Sequence, residues 1–524
     1  MTQNNFQFGH DTLTVAKALE LASGSLQGEL SKTTRLKMQA SCDAVAAIVD
    51  GETMVYSINT GFGALCNTKI SKHDTKKLQD NILRSHSVGV GAPIAIETAK
   101  LMLILKLQSL SFGYSGLAVT TAERILWHID NNLIPKVPCQ GSVGASGDLA
   151  PLAHLFLPLI GLGEIWFEDR YQPSSVILQK FGKAPLELGP KEGLALINGT
   201  QFIAAFAVQV VAKFHNVLEN ADIIAALSLE SLLGSARPFA DKLHQLRPFP
   251  GALHVASRMR NLLQDSQLVT SHKNCARVQD PYSLRCIPQV HGASRDAWLH
   301  LKTQLHIELN AVTDNPIIFS KDDTISGGNF HGQPMALPLD YAAFAASEVG
   351  NISDRRTYLL LEGKVPALPL LLMQNTGLNS GFMIPQYTSA ALASENKTLC
   401  FPASADSIPT SLGQEDHVSM GSISARKTFT ILENLENILA VELLCAAQAF
   451  DFHRPLQSSK VLEACHHIVR KHITHADNDR VFADDLAIAR QLIAEQTLTT
   501  TAAAIATKEG LDFANANAHV FNLN

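Results

Sequence analysis

The sequence predicts a mainly α protein: a bundle of long helices preceded by a mixed N-terminal part. Three observations carry that expectation. Phe202–Leu233 contains neither proline nor glycine and places apolar groups at helical spacing. Two further long runs, Leu339–Leu361 (interrupted only by Gly350) and Ser422–Phe450, share the pattern. Strand-like alternation is scarce throughout. Helices this long exceed the ordinary globular length and suit a bundle of roughly antiparallel members.

The elements follow in order. Up to about residue 195, short helical patterns mix with glycine-bearing loops, and Ala99–Leu110 (AKLMLILKLQSL) is apolar on nearly every side, as in a buried helix. After Asn198 the long runs begin, with Ala297–Val312 as a shorter one between them. Beyond Pro455 the pattern is that of a smaller helical cap, with a Thr/Ala-rich stretch at Thr497–Thr507. The expected division is residues 1–200, a central bundle over 201–454 and a cap over 455–524. Heptads are not sustained, so a coiled coil is not expected.

Bulk properties narrow the function. The chain has 524 residues and a net charge of −6, which argues against nucleic acid as an electrostatic partner. At 46% hydrophobic and 17% charged it is less charged than an average globular protein, as a large buried fraction or subunit interfaces would require. Eight cysteines (Cys42, Cys66, Cys139, Cys275, Cys286, Cys400, Cys445 and Cys465) form no C-x-x-C pair and no zinc spacing. The start, MTQNNFQFGHD, has no basic or apolar leader pattern. The most apolar window, Leu149–Gly163, is short and broken by Pro151 and Pro158. These features predict a reduced, cytoplasmic protein with no membrane partner and no metal.

The most informative segment is GSVGASGDLAPLAH, Gly141 to His154. Glycines at 141, 144 and 147 let the backbone fold back tightly around Ala145-Ser146-Gly147. In such a turn the Gly147 nitrogen can attack the Ala145 carbonyl carbon. Loss of one water from that ring and one from Ser146 leaves a methylidene-imidazolone, an electrophile made from the chain itself. Taken alone, the loop also reads as an ordinary helix start with Ser146 or Asp148 as N-cap. It lacks the phosphate-binding G-x-x-x-x-G-K-[ST] pattern, the dinucleotide spacing and the G-x-S-x-G of serine hydrolases.

The rest of the chain decides between these readings. VYSINTGFG (from Val55) carries Tyr56, LRSHSVGVG (from Leu83) carries Ser85-His86, and LINGTQ (from Leu196) carries Asn198. VQDPYSLRCIPQVHG (from Val278) carries Gln279, Tyr282 and Arg285, and QEDHVSMG (from Gln414) carries Glu415. Singly, Tyr56 reads as a buried tyrosine, Arg285 as a structural ion pair, His86 and His417 as core histidines, and Glu415-Asp416 as a solvated first turn. Together with the glycine loop, these segments resemble the histidine and aromatic amino acid ammonia-lyase family, in the same order and over essentially the whole chain. The resemblance implies a long-helix bundle of the ammonia-lyase (fumarase/aspartase-like) type and a homotetramer. It also implies a 4-methylidene-imidazole-5-one group formed from Ala145, Ser146 and Gly147.

The family pattern assigns roles. Tyr56 is the base, Arg285 the substrate-carboxylate anchor, Asn198 and Tyr282 the groups around the electrophile, and Phe330 in GGNFHGQP the ring packed beside it. The chemistry suits these residue types. Eliminating ammonia needs an electrophile that bonds the amine, and a base at the β-carbon. A tyrosine, ordinarily titrating near pH ~10, serves only in a positive field, and arginine's fork holds a carboxylate.

Glu415, His86 and Met383 match the histidine-specific branch, with Gln279 also placed at the substrate. A carboxylate suits an imidazole N–H or an ammonium, whereas a phenyl ring gains nothing from a buried charge. The expected reaction is L-histidine to urocanate and ammonia. Tyrosine or phenylalanine, an aminomutase on the same catalytic set, and an inactive helical relative are the alternatives. Leu412-Gly413 and Gly332-Gln333 depart from the usual histidine-branch pattern.

Overall fold

The computed structural model describes residues 5–51, 55, 58–61, 70, 72–273, 277–511 and 519–523. Ahead of the bundle, short helices alternate with small sheets. Glu164–Phe167 pairs antiparallel with Arg170–Pro173, Ile165 opposite Gln172, and with Ile134–Pro135 on its other edge. Val90–Pro93 pairs antiparallel with Pro138–Gln140, which joins the segment after His86 to the strand leading into Gly141. The helix Ile96–Ser111 has no polar face. Every residue from Thr98 to Ser111 is buried, Lys100 and Lys106 included.

Five long helices form the bundle: α1 (Gln201–Ser231), α2 (Ile287–Glu308), α3 (Gln333–Leu361), α4 (Met383–Leu399) and α5 (Gly421–Asp451). Side-chain bonds fix their directions. Lys213 meets Glu436 and Ser228 meets Glu442, so α1 and α5 run parallel. Ser424 meets Asp340 and Ser353 meets Glu442, so α3 runs with them. Trp298 donates to the Val211 carbonyl while Arg295 meets Asp222, so α2 runs opposite to α1. Cys400 lies by Ala343 and Gln386 by Asp354, so α4 also runs opposite. The starts of α1, α3 and α5 therefore lie at one end.

By length and composition α1 could cross a membrane. However, 78% of its most apolar window is buried inside the protein, and it lies between α2, α3 and α5. It is apolar on all sides because it is the core helix. Two buried carboxylates of this core show how it carries charge. Glu442 takes a bidentate contact from Arg356 at 2.6 and 2.9 Å plus the Ser228 and Ser353 hydroxyls. Burial alone would raise the Asp222 carboxyl, but Arg295, His291 and Arg258 hold it well below the usual carboxylate range.

The expected runs over Phe202–Leu233 and Ser422–Phe450 form α1 and α5 to within two residues at each end. The run expected over Ala297–Val312 starts earlier, at Ile287, because Pro288 sits in the first turn, where its missing N–H is harmless. The run expected over Leu339–Leu361 likewise starts at Gln333 and continues through Pro338. Helix α4 was not expected, since Pro385 in its first turn masks the period. The C-terminal part folds as helices Lys460–His472, Phe482–Ala494 and Thr497–Glu509. Cys42, Cys139, Cys286, Cys400, Cys445 and Cys465 are free thiols.

Candidate active site

The glycine loop turns back on itself through left-handed backbone at Gly144 (φ 79°), Ser146 (φ 49°) and Gly147 (φ 78°). Ser146 is not a glycine, so its conformation is strained and persists only where the surroundings enforce it. The enforcing partner is the Asn198-Gly199 segment. Gly199 N–H donates to the Ser146 carbonyl at 3.2 Å, and Asp148 N–H donates to the Gly199 carbonyl at 2.7 Å. A Cβ on Gly147 would lie 2.1 Å from the Gly199 oxygen, so only glycine fits there. In this parallel bridge the Gly147 nitrogen faces away from Gly199 and, among the described residues, donates no hydrogen bond. A tight turn with a free Gly147 nitrogen is the arrangement that ring closure onto the Ala145 carbonyl needs.

Three helix starts converge on this loop. Met420 N–H donates to the Val143 carbonyl at 3.0 Å, and the Ser422 hydroxyl to the Ser142 carbonyl at 2.7 Å, bringing in α5. Gly332, at the start of α3, packs against Ser419, whose hydroxyl also closes on Gly144. Asp148 precedes the helix Leu149–Phe156, but its carboxylate does not cap that helix. It instead accepts the Phe202 and Ile203 N–H groups of α1 at 3.1 and 3.0 Å, and the Ser142 hydroxyl at 3.0 Å. Burial pushes the Asp148 carboxyl up to about 7 despite these donors. The positive ends of three helix dipoles thus face the loop, an environment that favours developing negative charge.

Glu415 stands opposite Ser146. The Ser146 hydroxyl lies 3.4 Å from Glu415 Oε1, and Thr410 donates to Oε2 at 2.9 Å. Glu415 is held by a tight turn in which Thr410 and Glu415 exchange backbone bonds across Ser411, Leu412 and Gly413, all at positive φ. His86 belongs to the same neighbourhood. Burial lowers the His86 imidazole, while a backbone bond and the Glu415 charge act in the opposite sense, and Ser85 Oγ lies 3.0 Å from its Nδ1. Phe330 is half-buried beside His331, whose ring stacks on His417 at 5.5 Å. Asn198 is buried, donating from Nδ2 to the Asn315 carbonyl at 2.7 Å, and its Oδ1 has no partner among the described residues. Tyr56 lies outside the described residues.

The other expected residues lie elsewhere in the subunit. Tyr282 is 70% exposed, with the Arg285 guanidinium 4.4 Å from its ring centroid, and Arg285 Nε donates to the Asp280 carbonyl. Gln279 is exposed and, with Arg285, lines an open cleft of about 610 Å³. Ser283 accepts from Arg356, the partner of Glu442. Met383 opens α4 near Asp354. Glu442 is 21 residues along α5 from Gly421, so at 1.5 Å per residue this second cluster sits about 30 Å from Ser146. No single subunit brings the two clusters together.

Sequence reasoning missed several residues. Thr410 gave no signal, being one polar residue in a loop. Lys106, Lys191 and Asp314 form a buried charged group under Asn198. Lys106 had a signal: it is the one charge within the run Leu101–Leu107, which is otherwise apolar.

Known proteins are similar to this chain over most of its length. The family model for aromatic amino acid lyases matches residues 13–471. A curated histidine ammonia-lyase from Sorangium cellulosum is 49% identical over 86% of this chain and 89% of its own length. Another from Myxococcus xanthus is 44% identical over 92% and 95%. The solved histidine ammonia-lyase from Trypanosoma cruzi superposes with a TM-score of 0.89 at 38% identity, covering 99% of this chain and 97% of that one. The tyrosine aminomutase from Streptomyces globisporus reaches 0.90 at 33% identity, covering 96% and 99%. The long-helix bundle, the loop geometry and these likenesses agree: the chain belongs to the aromatic amino acid lyase family and is a carbon–nitrogen lyase.

Proposed function

We propose that this lyase eliminates ammonia from L-histidine to give urocanate, in a reducing, cytoplasmic setting. The observation that carries the reading is Glu415: a half-buried carboxylate 3.4 Å from the Ser146 hydroxyl and braced by Thr410. A carboxylate there offers two acceptors to an imidazole N–H or an ammonium, whereas an apolar ring would strand it. The two departures from the histidine-branch pattern have structural outlets. Leu412 is 96% exposed at the tip of its turn. The Gln333 amide is spent on the Ser404 carbonyl at 3.2 Å, and Gly332 sits where a Cβ would press on Ser419.

The free Gly147 nitrogen and the strained Ser146 fit a 4-methylidene-imidazole-5-one made from Ala145-Ser146-Gly147. When formed, that group supplies the electrophile that turns the amine into a leaving group. The chain's own residues do the rest. The three helix starts turn their positive ends to the loop, and Asn198 carries the peptide whose N–H holds the Ser146 carbonyl. Glu415 and His86 orient the substrate, and Phe330 and Met383 shape the pocket. Arg285, with Gln279 and Tyr282 beside it, takes the carboxylate in a fork. Tyr56 removes the β-proton.

Because Arg285 and Ser146 lie about 30 Å apart along α5 in one subunit, the working site requires residues from more than one copy, and the assembly proposed is a homotetramer. Exposed Tyr282, Val278 and Leu412 are the apolar surface such an assembly covers. Light scattering at micromolar protein should return the tetramer mass. A fully active monomer would contradict the composite site.

Glu415→Gln tests the substrate. A hydrogen bond to a charged group is worth about 1.5–3 kcal/mol, so histidine turnover should fall about 10- to 100-fold. Any side activity on tyrosine or phenylalanine should change far less. An equal fall on all three would mean that Glu415 does not read the side chain, and would return the reading to an aromatic substrate.

A further inference from the structure

Lys106 is fully buried in the middle of the helix Ile96–Ser111, and none of the roles above uses it. Its Nζ donates to the main-chain carbonyl of Asn198. That carbonyl belongs to the Asn198–Gly199 peptide. The N–H of that same peptide donates to the Ser146 carbonyl, and the Gly199 carbonyl, in the next peptide, accepts the Asp148 N–H. Below it, Lys191 pairs with Asp314 at 2.5 Å and donates to the Ser115 carbonyl at 3.0 Å. Asp314 also receives Asn198 Nδ2 at 3.4 Å. The Asn198 residue is thus pinned at its amide by Asp314 and Asn315 and at its carbonyl by Lys106.

We infer that Lys106 is a positioning residue for the loop: by clamping the Asn198 carbonyl it holds Gly199 against Ser146–Asp148 and keeps the Gly147 nitrogen free for ring closure. The inference rests on the proposed self-made electrophile. The chemistry it serves balances within the chain. The Gly147 nitrogen bonds to the Ala145 carbonyl carbon; the oxygen leaves as water with the Gly147 and Ser146 N–H hydrogens, a C=N bond to the Ser146 nitrogen replacing C=O, and Ser146 gives up its hydroxyl and α-hydrogen as a second water.

An ammonium is costly to bury without a purpose. Burial lowers Lys106 to about 7, Asp314 supports its charge, and Lys191 opposes it. An apolar residue would fill this place, between Leu105 and Leu107, at lower cost. What it could not do is fix a carbonyl in a chosen direction, and displacements of about 1 Å in a catalytic framework lower rates by about 10²-fold.

The test compares unmodified enzyme, Lys106→Met and Lys106→Arg by intact mass after timed expression and by kcat and KM. The unmodified enzyme should be lighter than its encoded mass by two waters. If it is not, the electrophile reading itself fails. Folded Lys106→Met should carry a mixture of mature and unprocessed subunits. Its kcat per mature subunit should fall about 10²-fold with KM little changed. Lys106→Arg, which keeps the charge and the donor, should recover the mass loss and most of kcat. Complete two-water loss and full kcat in folded Lys106→Met would overturn the inference. Should Lys106→Met not fold, Lys106→Gln, too short to reach the same carbonyl, is read against the same two outcomes.

Discussion

Ser146→Ala is expected to fold, to lack the mass loss that dehydration of Ser146 causes, and to lose nearly all turnover. The substitution removes one oxygen whose described side-chain contact is the 3.4 Å approach to Glu415. It keeps a Cβ in a left-handed conformation that the serine already tolerates at φ 49°. Stability should therefore change little, while the exocyclic carbon of the electrophile can no longer form. Covalent activation of the amine is lost outright rather than weakened. Intact mass and kcat measured on one preparation check both halves. Full activity in Ser146→Ala would refute the electrophile.

Tyr56→Phe carries the second large effect. Phenylalanine keeps the ring and removes the acid–base group, and such groups contribute about 10²–10⁴ in rate. A loss at least that large in kcat is expected, with the unfolding temperature little changed. An unmodified tyrosine titrates near pH ~10, so the reaction at neutral pH needs a field that favours the phenolate. If Tyr56→Phe instead collapses in stability while the folded remainder is fully active, Tyr56 is structural.

Much of this was legible because the physics is local. Helices α1 and α5 show in the sequence as long runs without a breaker, and the glycine loop announces left-handed backbone at Gly144 and Gly147. Helix α4 was hidden by Pro385, which reads as a stop but is tolerated in a first turn, and the early start of α3 by Pro338, which the helix carries in its interior. Asp148 was legible as a cap but not as the cap of α1, since that choice depends on which helix start lies nearest in space. The roughly 30 Å between Ser146 and Arg285 within a subunit was not legible at all. Motif order along a chain carries no information about which end of a bundle each motif occupies. Lys106 was visible as a charge in an apolar run, but its partner, a main-chain carbonyl 92 residues away, leaves no mark on side-chain patterns.

The substrate is settled most directly by kcat/KM for L-histidine, L-tyrosine and L-phenylalanine on the unmodified enzyme, each product followed by its ultraviolet absorbance. With Glu415 facing the reacting loop, urocanate should form faster than p-coumarate or cinnamate at equal substrate. Faster formation of p-coumarate or cinnamate would contradict the histidine assignment while leaving the lyase chemistry in place.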